Sequence, residues 1–282
     1  MKKYVYPSVL TIAGFDGSGG AGIQADIKTI SALGCYATSV LTALPIQNTT
    51  GVKSIHPIPY TVVEEQLHAI LYDIFPQAIK IGMVHSSDLV ATIVRVLGDY
   101  PKPKLVFDPV MVATSGHKLI EDKTIQSLIE QLFPLSDIIT PNLDEAAVLA
   151  RMPIKTVDDM YLAGEKIKAL GCRSLLLKGG HLASKQLTSL YFSAEGQVDE
   201  YHSKKYDTCN THGSGCTLSS AIASYLARGE TLSEAVVLGQ DYVQQAIFHG
   251  INVQTGKGNG PLNHFFDPQR LIKSDESIPE RP

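Results

Sequence analysis

Short apolar strands that alternate with amphipathic helices are the feature that most constrains how this chain folds. A buried strand over Ser8–Ala13 leads into a glycine-rich turn at residues 14–22 and then into a helix that ends at Leu33, before Gly34. Further buried strands are predicted at residues 35–44, 78–81, 104–107, 137–140 and 174–177. Strands and helices in alternation form βαβ units, so we predict an α/β fold with a large, mainly parallel sheet covered on both faces.

The remaining segments complete one domain over residues 1–270. Three Thr–acid pairs predict helix-starting capping boxes, and residues 188–192 and 198–201 predict a β-hairpin; the pairs are Thr61/Glu64, Thr156/Asp159 and Thr231/Glu234. Residues 45–51 and 256–261 are predicted loops. We expect the polar tail at residues 271–282 to fray beyond Arg270.

Composition excludes several classes of protein. The 282 residues are 44% hydrophobic and carry a net charge of -4 without a Lys/Arg block, so a nucleic-acid partner is not expected. No apolar run reaches 18 residues, and the N-terminus lacks the apolar core of a signal peptide. Cysteines 35, 172, 209 and 216 have no CxxC spacing, which favours reduced thiols in a cytoplasmic protein.

Polar or functional side chains follow several predicted strands directly. They are Asp16, Met83, Asp108, Asn142 and Lys178, and residues 113–116 and His181 extend two of these strand tips. In a mainly parallel sheet the carboxyl ends of the strands meet at one edge, and ligands bind there. We therefore expect these residues to line one small-molecule site.

The segment at residues 210–217, NTHGSGCT, opens onto a predicted helix that ends near Arg228 and Gly229. Gly213 and Gly215 let backbone amides crowd together at the helix start, which forms an anion site, with phosphate as the expected anion. Cys216 lies in the first turn. A helix N-terminus lowers the pKa of a thiol, so Cys216 is either a thiolate base or a small buried hydrophobic residue.

These features together fit phosphoryl transfer, which needs amides and cations around the moving charge and a metal held by acids. Lys178 is a candidate charge for the phosphates of the donor, and the Asn142/Glu145 pair is within expected reach of a hydrated Mg²⁺. The chain contains no Gly-x-x-x-x-Gly-Lys-Ser/Thr motif, so it is not a P-loop enzyme.

Two further polar residues have two interpretations each. Asp26 falls on the apolar face of its helix and either caps a neighbouring loop or contacts a ligand. Gln47 either pairs with a heterocycle or is an ordinary loop residue.

Several motifs together resemble the hydroxymethylpyrimidine/phosphomethylpyrimidine kinases, which belong to the ribokinase-like superfamily. They are AGFDGSGGAGIQAD at residues 13–26, QNT at 47–49, DPVM at 108–111, TPN at 140–142, KGGH at 178–181 and HGSGCT at 212–217, and the similarity extends to about His264. The resemblance implies a three-layer α/β/α sandwich that uses ATP and Mg²⁺.

The resemblance also implies roles for particular residues. Lys178 would face ATP phosphate with Cys216, Gly213 and Gly215 around the reacting group, and Asn142 and Thr211 would join Gly213 in contacting the nucleotide. The metal would be held by Asp108 and Glu145, and the pyrimidine contacts would be Asp26, Gln47, Gly14, Met83 and Val110. A homodimer is possible in this family. The alternatives are a pyridoxal or pyridoxine kinase on the same fold and a silent binding protein that retains it.

Overall fold

The computed structural model describes residues 4–111, 120–180 and 186–275. Its strands are β1 (Ser8–Ala13), β2 (Tyr36–Leu41), β3 (Ala43–Asn48), β4 (Gly51–Pro57), β5 (Ala78–Ile81), β6 (Lys104–Phe107), β7 (Ile138–Ile139), β8 (Leu175–Leu177), β9 (Gln186–Phe192) and β10 (Val198–Lys204). Eight of these form one sheet in the order β10-β9-β8-β7-β6-β5-β1-β2, and β3 pairs with β4 in a separate hairpin. The chain therefore builds a single large sheet with one small hairpin beside it.

Apolar residues on both sides of each strand make the large sheet a central layer. Six neighbouring strands of the sheet pair in parallel, in the order β8-β7-β6-β5-β1-β2. Strand β9 pairs antiparallel with β8 on one side and with β10 on the other. Along β1, Leu10 and Ile12 face one apolar core, whereas Val9 faces the other. The strand pairing confirms the predicted mainly parallel sheet. Parallel strands that are buried on both faces appear in the sequence as continuous apolar runs, which is why they were predictable.

Helices cover both faces of the sheet. The helices are α1 (Gly22–Ala32), α2 (Tyr60–Asp73), α3 (Ser87–Gly98), α4 (Asp122–Ser127), α5 (Leu143–Ala150), α6 (Val157–Lys168), α7 (Ser214–Ala227) and α8 (Leu232–Phe248). Buried residues of α1, α7 and α8 form the core on one face, and those of α2 to α6 form the core on the other. Within the described ranges, every helix is too short or too polar to cross a bilayer.

The structure corrects several local predictions. Residues 35–44 do not form one strand, because β2 ends at Leu41, and the predicted loop at 45–51 is largely the hairpin of β3 and β4. Helix α2 begins after Pro59 and has no side-chain cap, so the Thr61/Glu64 capping box is wrong, whereas the other two boxes are confirmed. Helix α4 and a π-helical segment at Leu128–Leu132 were not predicted.

The start of the C-terminal tail is paired with the body of the protein. Ser274 and Val5 exchange two backbone hydrogen bonds of 2.8 and 3.1 Å, and the Ile272 amide donates to the Gly34 carbonyl at 2.9 Å. The expected fraying after Arg270 is therefore wrong up to residue 275, since buried backbone partners hold this segment.

Candidate active site

Five strands deliver the predicted site residues to one edge of the sheet. Asp16, Met83, Asp108, Asn142 and Lys178 follow the carboxyl ends of β1, β5, β6, β7 and β8 in that order. These strands are neighbours in the sheet, so their ends converge as expected for an open α/β sheet. The predicted strand-tip segment at residues 113–116 and His181 lie outside the described residues.

Asp16 organises the glycine-rich turn between β1 and α1. Its carboxylate is fully buried and accepts hydrogen bonds from Ser18, Gly20 and Ala21, with donor distances between 2.7 and 3.2 Å. It also lies 2.9 Å from Nε2 of His212. Burial alone would raise the pKa of Asp16, but these partners hold it well below the usual range. The pair therefore fastens the glycine-rich turn to the loop before α7.

The start of α7 requires glycine at position 213 and packs closely against charged side chains at position 215. Gly213 is the N-cap residue and has a φ of 82°, and a Cβ there would collide with the Gly20 carbonyl. A Cβ added at Gly215 would lie 3.2 Å from Nζ of Lys178 and 3.6 Å from Oδ2 of Asp108. The helix start therefore lies directly against Lys178 and Asp108. Its amides and the lysine suit an anion, whereas the carboxylate suits a cation beside it.

Lys178 and Asp108 form an ion pair across two neighbouring strand ends. Nζ of Lys178 lies 2.9 Å from Oδ1 of Asp108, and the same oxygen accepts from Oγ1 of Thr140 at 3.0 Å. The Lys178 side chain keeps 15% of its surface exposed. Burial by itself would raise the pKa of Asp108, but Lys178 and Lys80 lower it below its usual value. The pair is charged, lies against the start of α7 and keeps part of the Lys178 side chain exposed.

Asn142 and Glu145 bond to each other at the start of α5. Oε2 of Glu145 accepts from the backbone N–H of Asn142 at 2.8 Å, and Oδ1 of Asn142 accepts from the backbone N–H of Glu145 at 2.9 Å. This reciprocal capping box gives both residues a structural role. Burial raises the pKa of Glu145 to about 7, with Lys178 acting against this rise and Asp108 adding to it. The carboxyl group is therefore a second acid beside the Lys178–Asp108 pair.

These acids limit the kind of metal that fits. Among the described residues, no three His, Cys, Asp or Glu side chains are arranged to hold an ion. Asp108 and Glu145 alone suit a hydrated Mg²⁺, which keeps several waters and takes few protein ligands. Oδ2 of Asp108 lies on the side of Gly215, where such an ion would adjoin the anion site.

Cys216 is half-buried in the first turn of α7, and its surroundings differ from the expectation. Burial raises the pKa of Cys216 to about 11, and Asp26 and Asp108 add to this rise, while Lys80 and the Gly22 backbone N–H act against it. This direction does not favour a resident low-pKa thiolate, and the role of Cys216 in the reaction stays a prediction. The desolvation of the thiol outweighs the field of the helix start.

Asp26 has no acceptor site left for a ligand. Its Oδ1 accepts from Lys80 at 3.0 Å and Ser220 at 2.7 Å, and its Oδ2 accepts from Lys80 at 2.8 Å and Thr11 at 2.6 Å. A carboxylate offers about four such sites. Asp26 is fully buried, so the expected direct contact with a pyrimidine is not supported, and a structural role explains its inward position.

Other candidates gather near the hairpin. A Cβ at Gly14 would lie 3.6 Å from Sδ of Met83 and 3.8 Å from the Ala43 carbonyl, where β3 begins. Gln47 is half-buried at a register shift in β3, and its side-chain amide makes no hydrogen bond with the described residues. Val110 is half-buried two residues after Asp108. The structure thus brings Gly14 and Met83 together, with Gln47 on the adjoining strand.

The hairpin tip is clasped to the loop that follows α8. Oγ1 of Thr49 accepts from the amides of Lys257 and Gly258 at 3.2 and 3.1 Å, and the Thr49 carbonyl accepts from Asn259 at 2.9 Å. A Cβ at Gly258 would collide with the Thr49 carbonyl, so this loop needs its glycine. The predicted loop at 256–261 therefore lies against the hairpin on one side, and its Gly260 packs against Asn210 on the other. The Asn210 side-chain amide donates to the carbonyls of Gly250 and Val253.

Thr211 is exposed in the loop before α7, where its carbonyl accepts from the Ser214 amide at 3.1 Å. A separate cavity of about 680 Å³ lies between the starts of α3 and α4 and is lined by residues 85–88 and 120–124. None of the predicted site residues lines that cavity.

Lys80 is the residue that the sequence reasoning missed. It is the charged member of the apolar strand Ala78–Ile81 and is fully buried. A single lysine in such a strand and a single carboxylate on the apolar face of α1 are each unexplained alone. Because a buried charge needs a partner, a lysine in an apolar strand and a carboxylate on an apolar helix face together indicate a buried ion pair.

A model of the family described as phosphomethylpyrimidine kinase matches residues 16–263 of the chain. The chain belongs to the phosphomethylpyrimidine kinase family. A hydroxymethylpyrimidine/phosphomethylpyrimidine kinase of Rhizobium meliloti (strain 1021) is 43% identical over 257 residues, covering 91% of this chain and 96% of that protein. The resemblance found in the motifs is thereby confirmed.

Bifunctional proteins also contain this family's domain. A probable thiamine biosynthetic bifunctional enzyme, chloroplastic, of Oryza sativa subsp. japonica is 43% identical over 268 residues, which cover 94% of this chain and 49% of that protein. The chain spans about half the length of the bifunctional relatives that it matches.

Solved structures of the family and of pyridoxal kinases share the fold. Phosphomethylpyrimidine kinase from Clostridium difficile 630 has a TM-score of 0.74 at 44% identity, covering 85% of this chain and 99% of that one. An ADP complex of Bacillus subtilis pyridoxal kinase has a TM-score of 0.85 at 34% identity, covering 92% and 98%. The predicted three-layer ribokinase-like sandwich is confirmed.

Proposed function

We propose that this phosphomethylpyrimidine kinase family member uses ATP to phosphorylate 4-amino-5-hydroxymethyl-2-methylpyrimidine and then its monophosphate to the diphosphate, in thiamine diphosphate biosynthesis. The observation that carries the proposal is the anion site at the start of α7, where Gly215 stands against Lys178 and Asp108 and Cys216 follows in the first turn. Such a site holds the spread negative charge of a phosphoryl group in flight.

Each residue of this site has a role in the proposed reaction. Lys178 lies against the phosphates of ATP, and the amides from Gly213 to Cys216 bind the transferred group. Because burial raises the pKa of Cys216 to about 11, its thiol is protonated at neutral pH. This favours a Cys216 that orients the substrate hydroxyl over one that acts as a resident thiolate.

We assign Mg²⁺ to Asp108 and Glu145, with waters completing its coordination. When bound, the ion neutralises part of the phosphate charge. Asn142 and Thr211 contribute contacts to the nucleotide together with Gly213. Asn142 is already fixed by its capping box with Glu145, so its part would be played by an ordered side chain.

The pyrimidine side of the proposed site consists of Gly14, Met83, Val110 and Gln47. Gly14 and Met83 lie together beside β3, and the half-buried Gln47 amide provides both a donor and an acceptor for a heterocycle edge. Asp26 is not included in this pocket, because its carboxylate is occupied by Lys80, Thr11 and Ser220.

Incubation of the purified chain with ATP, Mg²⁺ and each pyrimidine species tests the proposal. Mass spectrometry of the products should reveal the monophosphate from the alcohol and the diphosphate from the monophosphate. Absence of both products would overturn the assignment, and absence of the second alone would restrict it to the first step. Omission of Mg²⁺ from the same assay tests the metal.

A pyridoxal or pyridoxine kinase is the second candidate. It is favoured by the Bacillus subtilis pyridoxal kinase described above and by pyridoxal kinase structures from Staphylococcus aureus, one of which has a TM-score of 0.84 at 31% identity. The ratio of kcat/KM for pyridoxine to that for the pyrimidine separates the two functions. Ligand binding without any release of ADP would instead indicate a silent binding protein.

The four cysteines are all free thiols, which supports the expected cytoplasmic location. A homodimer remains a prediction, and sedimentation of the purified chain tests it.

A further inference from the structure

A second lysine–carboxylate pair lies below the anion site and has no part in the function proposed above. Lys80 on β5 and Asp26 on α1 are both fully buried, with Nζ 2.8 and 3.0 Å from the two carboxylate oxygens. Thr11 on β1 and Ser220 on α7 donate to the same carboxylate. One carboxylate thus joins two strands and two helices.

The contact between Ser220 on α7 and Asp26 on α1 lies one helical turn below Cys216. On α7, Ser220 follows Cys216 by four residues, and on α1, Asp26 follows Gly22 by four residues. At the upper step, the Gly22 backbone N–H lies close enough to the Cys216 thiol to lower its pKa. The lower residues touch through the 2.7 Å bond from Ser220 to Asp26. The contacts form a two-step ladder between the helices, with Lys80 bonded to its lower step.

The charges around the thiol come from four elements. Lys80 lies on β5, Asp26 on α1, Asp108 after β6 and Lys178 after β8, and each interacts electrostatically with Cys216. Of these, Lys80 has the strongest effect on the thiol and favours its ionised form, whereas Asp26 and Asp108 disfavour that form.

Two histidines also lie near this helix start, and His212, which precedes the N-cap residue, is paired with Asp16. His264 bonds to the Thr217 hydroxyl, but burial lowers its pKa to about 4, so it is neutral at physiological pH.

We propose that Lys80 and Asp26 are positioning residues for Cys216, because the pair fixes the first turns of α1 and α7 around the thiol and holds a permanent positive charge beneath it. Only the link from Cys216 to turnover rests on the function proposed above. The reactivity of the thiol can be measured without any substrate, so failure of the inference and failure of the proposed function are distinguishable.

The charge is tested in the full-length Lys80→Met/Asp26→Asn variant, which removes both charges and leaves neither buried alone. Iodoacetamide alkylation of Cys216 is followed against pH by mass spectrometry of peptides, which separates it from the exposed Cys209. We expect the alkylation profile to move to higher pH, because Lys80 acts on the thiol more strongly than Asp26. Since Asp26 offsets part of the effect and a tenfold loss of thiolate accompanies each pKa unit, the rate at pH 9 should be lower by about threefold. An unchanged profile would overturn the charge role.

Leu67→Ala is the matched control for general loosening. Leu67 is fully buried on α2 in the opposite core, so its truncation destabilises the protein without altering the charges at Cys216. We expect the control to keep the wild-type alkylation profile. An equal shift in both variants would show that the pair acts only through stability and would overturn the proposal.

The ladder is tested separately in Ser220→Ala, which keeps all charges and removes one bond between α7 and Asp26. We expect Cys216 alkylation at pH 9 to accelerate by about threefold, because the first turn opens more often when one buried hydrogen bond is lost. Ser224→Ala is the control, since the Ser224 hydroxyl bonds only its own helix, at the Ser220 carbonyl. Equal rates in the two variants would overturn the positioning role, even if the double variant does not fold.

Discussion

Two lysine–carboxylate pairs lie side by side in this protein, and they differ in what remains free for a ligand. Asp26 and Lys80 are fully buried, and all four acceptor sites of Asp26 are filled by protein groups. Among the described residues, both hydrogen bonds to the Asp108 carboxylate go to Oδ1, while Oδ2 lies on the side of Gly215 and Lys178 is partly exposed. We call the Asp26–Lys80 pair closed, because no acceptor is left for a ligand, and the Asp108–Lys178 pair open, because Lys178 is partly exposed.

The comparison teaches that burial of a charged pair does not by itself mark a functional site. The closed pair lies within the layers, one turn below the helix starts, while the open pair lies at the strand ends. A closed pair holds elements together, because each donor and acceptor is consumed. An open pair keeps part of its charge for a ligand at the edge of the sheet.

The largest effect is expected from breaking the closed pair. Lys80→Met leaves the Asp26 carboxylate buried without its cation, so we expect the free energy of unfolding to fall by about 3–5 kcal/mol. Urea unfolding followed by circular dichroism measures the change. Lys80→Met/Asp26→Asn should recover part of the loss, and a single variant as stable as wild type would show that the two pairs do not differ in this way.

Lys178→Met should break the open pair with a different outcome. We expect kcat/KM for ATP to fall by about 10²–10³-fold, the usual cost of removing one group that stabilises transition-state charge. The loss of stability should be smaller than for Lys80→Met, since the Lys178 side chain is 15% exposed and water can reach the site. Steady-state kinetics and urea unfolding of both variants give the comparison, and a normal ATP dependence would contradict it.

Glu145 makes the open pair sensitive to pH. Its pKa is raised to about 7 in the folded chain from 4.5, so between these values the folded state holds a proton that the unfolded state has lost. The contribution of Glu145 to stability therefore falls as pH rises from 4.5 to 7. Without Mg²⁺, Glu145→Gln should gain about 2–3 kcal/mol over wild type across this window. Urea unfolding at several pH values measures this difference. If the free energies of unfolding of wild type and Glu145→Gln changed equally with pH across the window, the raised pKa of Glu145 would be refuted.

The smallest effects are expected from the threonines that support each pair. Thr11→Val and Thr140→Val each remove one hydroxyl that donates to a carboxylate, at 2.6 and 3.0 Å respectively, and each should cost about 2 kcal/mol of stability. Only Thr140→Val should also raise the KM for ATP, because only Asp108 faces the anion site. A similar rise of KM in Thr11→Val would remove the distinction between the pairs.

The sequence was sufficient for the parallel sheet and for the edge where the site forms, since apolar runs and the residues that end them are local signals. The contacts of Asp26 and the pKa of Cys216 were not predictable in this way. Both depend on partners distant in sequence, such as Lys80 and Ser220, and on burial that only the packed layers produce. The hairpin of β3 and β4 was missed because Pro45 and a polar tip resemble a loop.

The clasp at Thr49 has a mechanical consequence. Three hydrogen bonds join the hairpin tip to the loop at residues 257–259, and Asn210 links the segment before α7 to the carbonyls of Gly250 and Val253, at the base of that loop. The tip cannot swing outward alone: either these bonds break or the loop travels with it. The two margins of the site are therefore linked, and by reciprocity a ligand that stiffens one margin stiffens the other to the same energetic extent.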